Sequence, residues 1–272
     1  MIMADLNPKT IRWFMELAYD GTDFAGWQVQ PNGITIQQVL EGKLSIIYAN
    51  QVIRVESSGR TDAGVHALNQ TVTFTAPERP IVQDWKLYKA LNRMLPSTIR
   101  IREVREVDEK FHARFSAVGK AYTYVINRGI PNPFTDRWAW NMSEFTELCE
   151  VRKAVTCLIG EHDFSSFTVD RSAIDDAVRK IFRIEIQEFG DLVCLTFVGE
   201  GFLYKMVRSL MGTLAFVGTG RIKAEEVRDI LESKNRISCY DTAPANGLFL
   251  VKVFYDEKSL NDFKLEKPPF WT

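Results

Sequence analysis

Few residues in this chain are suited to binding a metal ion or forming a disulfide bond. Of its 272 residues, four are cysteine and three are histidine, and no two cysteines have C-x-x-C spacing. A disulfide framework is typical of much shorter chains. A structural zinc site needs four ligands from a small set of residue types. We therefore expect a reduced protein without a structural metal.

Long hydrophobic runs are also missing. No stretch approaches the roughly 20 apolar residues that a transmembrane helix needs. Residues 1–10 include Asp5 and Pro8 and have no apolar core, which predicts that no signal peptide is present. Together these features predict a cytoplasmic protein that does not bind a membrane. The hydrophobic content of 46% and the charged content of 25% are ordinary for a globular protein.

The chain has little net charge, with a formal value of -1, so the total neither favours nor opposes nucleic acid binding. The charge is unevenly distributed, because residues 86–128 hold ten Lys or Arg against four Asp or Glu. Such an excess is typical of a surface that binds phosphates. A solvated helix face and strand edge would account for it equally well.

Hydrophobic periodicity indicates the same order of elements in both halves of the chain. In the first half, Thr35 is predicted to cap one helix, and a second helix is predicted to begin at Asp84 and end before Pro96. The predicted first-half strands are 11–19, 52–57, 68–75 and 98–107. The second half is predicted to contain strand 120–127, a helix from Ser143 to about Leu158, strands 180–188 and 192–198, helix 202–216, a short extra helix 224–232, and strand 248–255.

This order, β-α-β-β-α-β, is that of the ferredoxin-like or split βαβ arrangement. We therefore predict an α+β protein of two tandem ferredoxin-like units, with antiparallel or mixed sheets and a central active-site cleft. The first domain is predicted to span residues 1–109 and to carry the charged loop of residues 56–67. The second is predicted to span residues 110–272 and to complete the cleft.

The most unusual stretch is residues 56–67, with the sequence ESSGRTDAGVHA, between two predicted strands. It brings two glycines, Arg60, Asp62 and His66 into one connection, although a hairpin needs only a few turn residues. Asp62 could be a turn residue that bonds its own backbone, and Arg60 with Asp62 could be a surface ion pair. Those explanations suit an isolated R-x-D. The whole stretch favours a functional loop, because such loops are held between scaffold strands.

These twelve residues resemble the signature loop of the TruA-type tRNA pseudouridine synthases. Three further places resemble the same family. They are the opening loop 19–28 (YDGTDFAGWQ), residues 111–117 (FHARFSA) leading into 120–124 (KAYTY), and residues 206–208 (MVR) with 247–250 (GLFL). The resemblance thus extends along most of the chain.

The resemblance implies that Asp62 is the catalytic residue. It implies that Tyr122 lies under a uracil taken out of its stack, where its phenol could also move a proton. Arg208 would hold Asp62 ionised, Arg60 would contact the RNA, and Leu248 would line the uracil pocket. We interpret Tyr124, on the same strand face as Tyr122, as structural.

The implied activity is isomerisation of uridine to pseudouridine in the tRNA anticodon stem-loop, typically at uridines 38 to 40, by a homodimer. No cofactor is expected, since nothing is oxidised, reduced or added, and no protein partner is evident from the sequence.

Two other classes remain open from the residues alone. A non-catalytic RNA-binding module would use the same aromatic and basic residues. A glycosidase-like hydrolase would need a second carboxylate, for which Glu56 is the nearest candidate. His66 lacks the partners of a triad or a metal site, and we expect it to shape the loop. His162 and Asp163 are predicted to form a helix-to-loop turn.

Overall fold

A computed structural model describes residues 9–78, 82–169 and 176–271. Residues 1–8, which include most of the segment behind the signal-peptide prediction, lie outside the described residues. The chain contains both helices and strands, and its sheet pairs are largely antiparallel, which confirms the prediction of an α+β protein. Among the described helices, none combines the length and the apolar character needed to cross a membrane. The chain divides into two units, Met1–Ala117 and Val118–Thr272.

The first unit has the element order β-α-β-β-α-β. Its elements are β1 (Thr10–Tyr19), α1 (Ile36–Ile47), β2 (Glu56–Ser57), β3 (His66–Pro77), α2 (Asp84–Met94) and β4 (Ile99–Glu106). The sheet has the order β4-β1-β3-β2, and every neighbouring pair is antiparallel. At the start of α1 the Thr35 hydroxyl accepts a hydrogen bond from Gln38 N–H at 3.3 Å, so the predicted N-cap is present.

Strand β1 is covered on both faces, although its alternation predicts a strand buried on one face only. Trp13 and Met15 are buried on one face, and Phe14 is buried on the other. The ring of Phe14 meets the edge of Phe111 at a centroid distance of 5.7 Å, and the Arg105 guanidinium lies 3.9 Å from its centroid. Residues far along the chain therefore cover the face that the sequence pattern assigns to solvent.

The strand predicted at 52–57 is much shorter in the structure, where only Glu56–Ser57 pair with β3. The preceding backbone is held by a side chain instead of by a neighbouring strand. Val55 N–H donates to the Glu41 carboxylate at 3.1 Å, and the same carboxylate accepts from Arg54 Nη1 at 2.6 Å. Helix α1 thus replaces a sheet partner here.

The boundary between the units falls later than the predicted 109/110. Residues after 110 bond to the first unit: Phe111 O accepts from Arg12 Nε at 3.1 Å, and Ala113 N–H donates to Thr73 Oγ1 at 3.2 Å. These bonds explain why residues 110–117 are grouped with the first unit.

The second unit contains a mixed sheet with the order β10-β5-β9-β8-β7. Its strands and helices are β5 (Gly119–Asn127), β6 (Trp140–Asn141), α3 (Leu148–Ala154), β7 (Gly160–Asp163), β8 (Val178–Phe189), β9 (Leu192–Gly199), α4 (Met206–Gly218), α5 (Ala224–Ser233), β10 (Leu248–Phe254) and α6 (Glu257–Asp262). Among the described strands of this unit, β6 runs parallel to its partner, β5, and the other pairs are antiparallel. Strand β5, which carries Tyr122, is central in this sheet.

Helix α3 begins at Leu148 and not at Ser143, so the predicted start was wrong. The reason is a tertiary contact. The N–H groups of Thr146 and Glu147 both donate to Gly218 O, at 2.8 and 2.9 Å, and are not available for an intrahelical bond. Phe145 is buried beside Gly218, where an added Cβ would lie 2.1 Å from its ring.

Two other predictions for this unit need correction. Helix α4 begins at Met206, four residues after the predicted Phe202, because Lys205 has a left-handed backbone with φ 57° that no helix continues through. His162 and Asp163 lie in the edge strand β7 and not in a turn. Strand pairing with β8 accounts for this, since four residues from Gly160 onward are in register with it.

A buried pair of hydroxyls joins β5 to β9. Thr123 and Thr196 are opposite each other in the register, both are fully buried, and their Oγ1 atoms lie 2.9 Å apart. Each hydroxyl therefore satisfies the other in a place where water does not reach.

We predict that Thr123→Val lowers the free energy of unfolding by about 1–3 kcal/mol, because it leaves the Thr196 hydroxyl buried and unpaired. The double variant with Thr196→Val is expected to be more stable than the sum of the two single changes implies. Urea denaturation of the four proteins measures this coupling. Strict additivity would show that the two hydroxyls do not stabilise each other.

Candidate active site

The signature loop of the first unit connects β2 to β3 and carries Asp62. Thr61 and Val65 anchor it by burial, whereas Asp62 is half-buried and Arg60 is exposed. Val65 N–H donates to Asp62 O at 3.1 Å, and Gly64 between them has a positive φ of 79°. The loop is thus a turn with buried ends. Asp62 itself remains partly exposed.

The opening loop, residues 19–28, packs directly on the signature loop. Trp27 N–H donates to Thr61 O at 3.0 Å. A Cβ on Gly21 would lie 2.0 Å from Val65 O, and one on Gly26 would lie 2.8 Å from Thr61 O. Only glycine permits this approach of two backbones. Two sequence stretches that carry the family resemblance therefore form one structural body.

His66 connects the same two loops. It is buried, and its Nδ1 lies 3.1 Å from both Gly21 N and Asp20 Oδ1. Unprotonated Nδ1 accepts from Gly21 N–H, and protonated Nδ1 donates to Asp20. Burial raises the pKa of Asp20, but hydrogen bonds from His66 and Thr22 outweigh burial and hold that pKa well below its usual value.

Residues 9–78, 82–169 and 176–271 contain no group of three His, Cys, Asp or Glu able to hold a metal ion.

The second unit brings together the remaining predicted residues around β5 and β10. Tyr122 is opposite Leu250 in the register, and Leu248 is opposite Tyr124. The Tyr122 ring keeps 8% exposure and meets the edge of Phe202 at a centroid distance of 5.2 Å. The sequence pattern did not indicate this contact, because it predicts Phe202 to lie in the helix 202–216.

Tyr124 differs from Tyr122 in what its hydroxyl does. It is fully buried and donates to Pro244 O at 2.8 Å. Burial raises the pKa of Tyr124 far above its usual value, although the charge of Arg208 opposes that shift. Arg208 is half-buried, and its Nε donates to Ala243 O at 2.8 Å. Because its hydroxyl is held by a backbone carbonyl, Tyr124 has the contacts of a structural residue.

Glu56, the carboxylate considered for a hydrolase, is engaged elsewhere. Its Oε2 accepts from Arg12 Nη2, and its Oε1 lies 3.8 Å from His112 Nε2. Arg12 in turn is largely buried and also donates to Thr73 Oγ1 at 2.9 Å. Glu56 thus belongs to a structural ion pair on the sheet.

Comparison with known proteins matches most of the chain. The family model described as tRNA pseudouridine synthase matches residues 17–116 and 154–256. Among solved structures, one titled as a crystal structure of a Cbf5-Nop10-Gar1 complex matches 93% of this chain and 60% of that chain, with TM-score 0.34 and 12% identity, which is too low to bear on fold or function.

Curated relatives are much more similar. A protein of Anoxybacillus flavithermus is 43% identical over 88% of this chain and 97% of its own length. One of Bacillus licheniformis is 42% identical over 88% and 97%, and one of Brevibacillus brevis is 41% identical over 88% and 97%. All three are named tRNA pseudouridine synthase A. This chain therefore belongs to the tRNA pseudouridine synthase A family, as its motifs predicted, and is an isomerase.

Proposed function

We propose that this protein isomerises uridine to pseudouridine in the anticodon stem-loop of tRNA, with Asp62 as the catalytic carboxylate and without a cofactor. The expected targets are uridines 38 to 40. The observation that carries the proposal is the setting of Asp62, a partly exposed residue in a turn with buried ends, inside the stretch that resembles the family's signature loop.

The reaction balances without any added reagent. The N1–C1' bond breaks, the uracil turns over, and a C5–C1' bond forms while the hydrogen on C5 leaves as a proton and N1 gains one. The chemistry requires one ionised carboxylate, which either attacks C1' or removes a proton from the sugar. Asp62 satisfies both versions of this requirement.

The other site residues have supporting roles in this proposal. Tyr122 offers a ring on which a flipped base can stack, and Phe202 fixes that ring from its edge. Arg208 serves as counter-ion to Asp62, Arg60 contacts RNA from an exposed position, and Leu248 lines the uracil pocket.

The proposal extends to the architecture and the assembly. Each unit is proposed to be ferredoxin-like. When the strands of a unit are numbered in chain order, without the short β6 and β7, both sheets have the order fourth, first, third, second: β4-β1-β3-β2 in the first unit and β10-β5-β9-β8 in the second. We propose that both units complete one active-site cleft and that the protein acts in the cytoplasm as a homodimer.

We predict that Asp62→Asn lowers tritium release from tRNA labelled at uracil C5 by about a thousandfold or more, because the amide can neither attack nor act as base. Formation of the C5 bond expels that hydrogen, whereas binding alone does not. Affinity for tRNA, measured by filter binding, is expected to stay within about threefold. Asp108→Asn, the same change at an exposed carboxylate outside the matched motifs, is the control. Tight binding by the unaltered protein with no release from any tRNA pool would refute the proposal.

Substitutions at Tyr122 separate its ring from its hydroxyl. Stacking of a base on an aromatic ring contributes about 1–3 kcal/mol, so we predict that Tyr122→Leu slows single-turnover tritium release by about 5- to 150-fold. Tyr122→Phe keeps the ring and its contact with Phe202, and is expected to lose less. Equal loss in both variants would contradict the stacking role and assign the effect to the hydroxyl.

A further inference from the structure

Gln70 has an unusual position for a primary amide. It lies in β3, eight residues after Asp62, and its side chain has no exposure to solvent. Burial of an amide is unfavourable unless its donors and acceptors are all satisfied. Here two of its four hydrogen bonds are made with the segment that leads to Asp62.

The four hydrogen bonds of the Gln70 side chain account for the capacity of the amide. Its Oε1 accepts from Ser58 Oγ at 2.7 Å and from Thr71 N–H at 3.1 Å. Its Nε2 donates to Gly59 O at 2.9 Å and to the Tyr19 hydroxyl at 3.4 Å. Ser58 is itself fully buried. One side chain therefore holds two consecutive residues of the signature loop.

Tyr19 extends the network to a third loop residue. Its hydroxyl lies 2.8 Å from Thr61 Oγ1, and both side chains are buried. Burial raises the pKa of Tyr19 to about 12, although hydrogen bonds with Thr61 and Gln70 oppose the shift. The phenol is therefore neutral at physiological pH, so it can accept from Gln70 and donate to Thr61.

The network thus includes Ser58, Gly59 and Thr61. Of the residues between Ser58 and Asp62, only Arg60, which is exposed, is not bonded by the network. An apolar side chain of similar size would fill the same space, but it would remove the hydrogen bonds that join Gln70 to the loop. A displacement of about 1 Å at a catalytic group is enough to lower a rate about a hundredfold.

We propose that Gln70, acting with Tyr19, is a positioning residue that holds residues 58–61 so that Asp62 stands in its productive geometry. This inference rests on the proposed role of Asp62. Gln70 does not touch the substrate, and its effect is transmitted through the loop backbone.

The test compares Gln70→Leu with Asn92→Leu. Asn92 is the control because it is a half-buried amide of the first unit whose two hydrogen bonds, from Nδ2 to Ile101 O and from Ile101 N–H to Oδ1, both at 2.9 Å, lie away from the loop. We expect Gln70→Leu to slow single-turnover tritium release at saturating enzyme by about 10- to 100-fold. Its dissociation constant for tRNA is expected to stay within about threefold. Asn92→Leu is expected to keep the rate, with a similar fall in thermal midpoint.

Gln70→Glu provides a signature that a packing role alone would not produce. Burial raises the pKa of an introduced carboxyl. In its neutral form that group keeps one acceptor and one O–H donor for Gly59 O, and in its ionised form it has no donor. We therefore expect the activity of this variant, relative to the unaltered protein, to rise several-fold as the pH falls from about 9 to about 6.

Amide hydrogen exchange of residues 59–63 gives a readout independent of activity. Exchange is expected to be faster in Gln70→Leu than in the unaltered protein and unchanged in Asn92→Leu. A single-turnover rate for Gln70→Leu within about threefold of Asn92→Leu, or unchanged loop exchange, would overturn the positioning role. If the unaltered protein released no tritium, the proposed function would fail, while loop exchange would still test whether Gln70 holds the loop.

Discussion

The need of buried polar groups for hydrogen-bond partners shapes the first unit more than any other single interaction. The loop that carries Asp62 begins inside the protein, where its polar groups cannot use water, so each of them needs a protein partner. Gln70 and Tyr19 supply those partners from two neighbouring strands. The register of β1 with β3 makes this possible. Leu17 is opposite Gln70, and the register of the two strands then shifts, so that Tyr19 is opposite Ala67. The end of β1 and the start of β3 therefore frame the loop.

Close backbone approach is the second constraint on the same unit. Gly21 and Gly26 let the opening loop lie against the signature loop, and His66 with Asp20 adds a polar connection between them. A charged side chain can then remain accessible on a backbone that is fixed, which is the arrangement that catalysis by a single carboxylate requires.

In the second unit, neighbours decide which of two similar tyrosines is accessible. Tyr122 and Tyr124 are on one face of β5, yet only Tyr122 keeps any exposure. The hydroxyl of Tyr124 is bound by Pro244 O, and its ring packs against Trp140 at a centroid distance of 6.1 Å. Tyr122 instead lies edge-to-face with Phe202 and retains 8% exposure.

The sequence by itself determined the order of the elements in the first unit, the Thr35 cap, the family and the loop that carries Asp62, because local periodicity and a contiguous motif encode these features. Tertiary structure decided three other features. Helix α3 starts late because of the contact of Phe145 with Gly218, and β2 is short because Glu41 holds the backbone at Val55. Phe202 lies outside α4 because Lys205 has a left-handed backbone. Gln70 is the clearest case. In the sequence of β3 it is one polar residue among several. Only folding brings its amide to Ser58, Gly59 and Tyr19, which are too far from Gln70 along the chain for a local pattern to indicate the contacts.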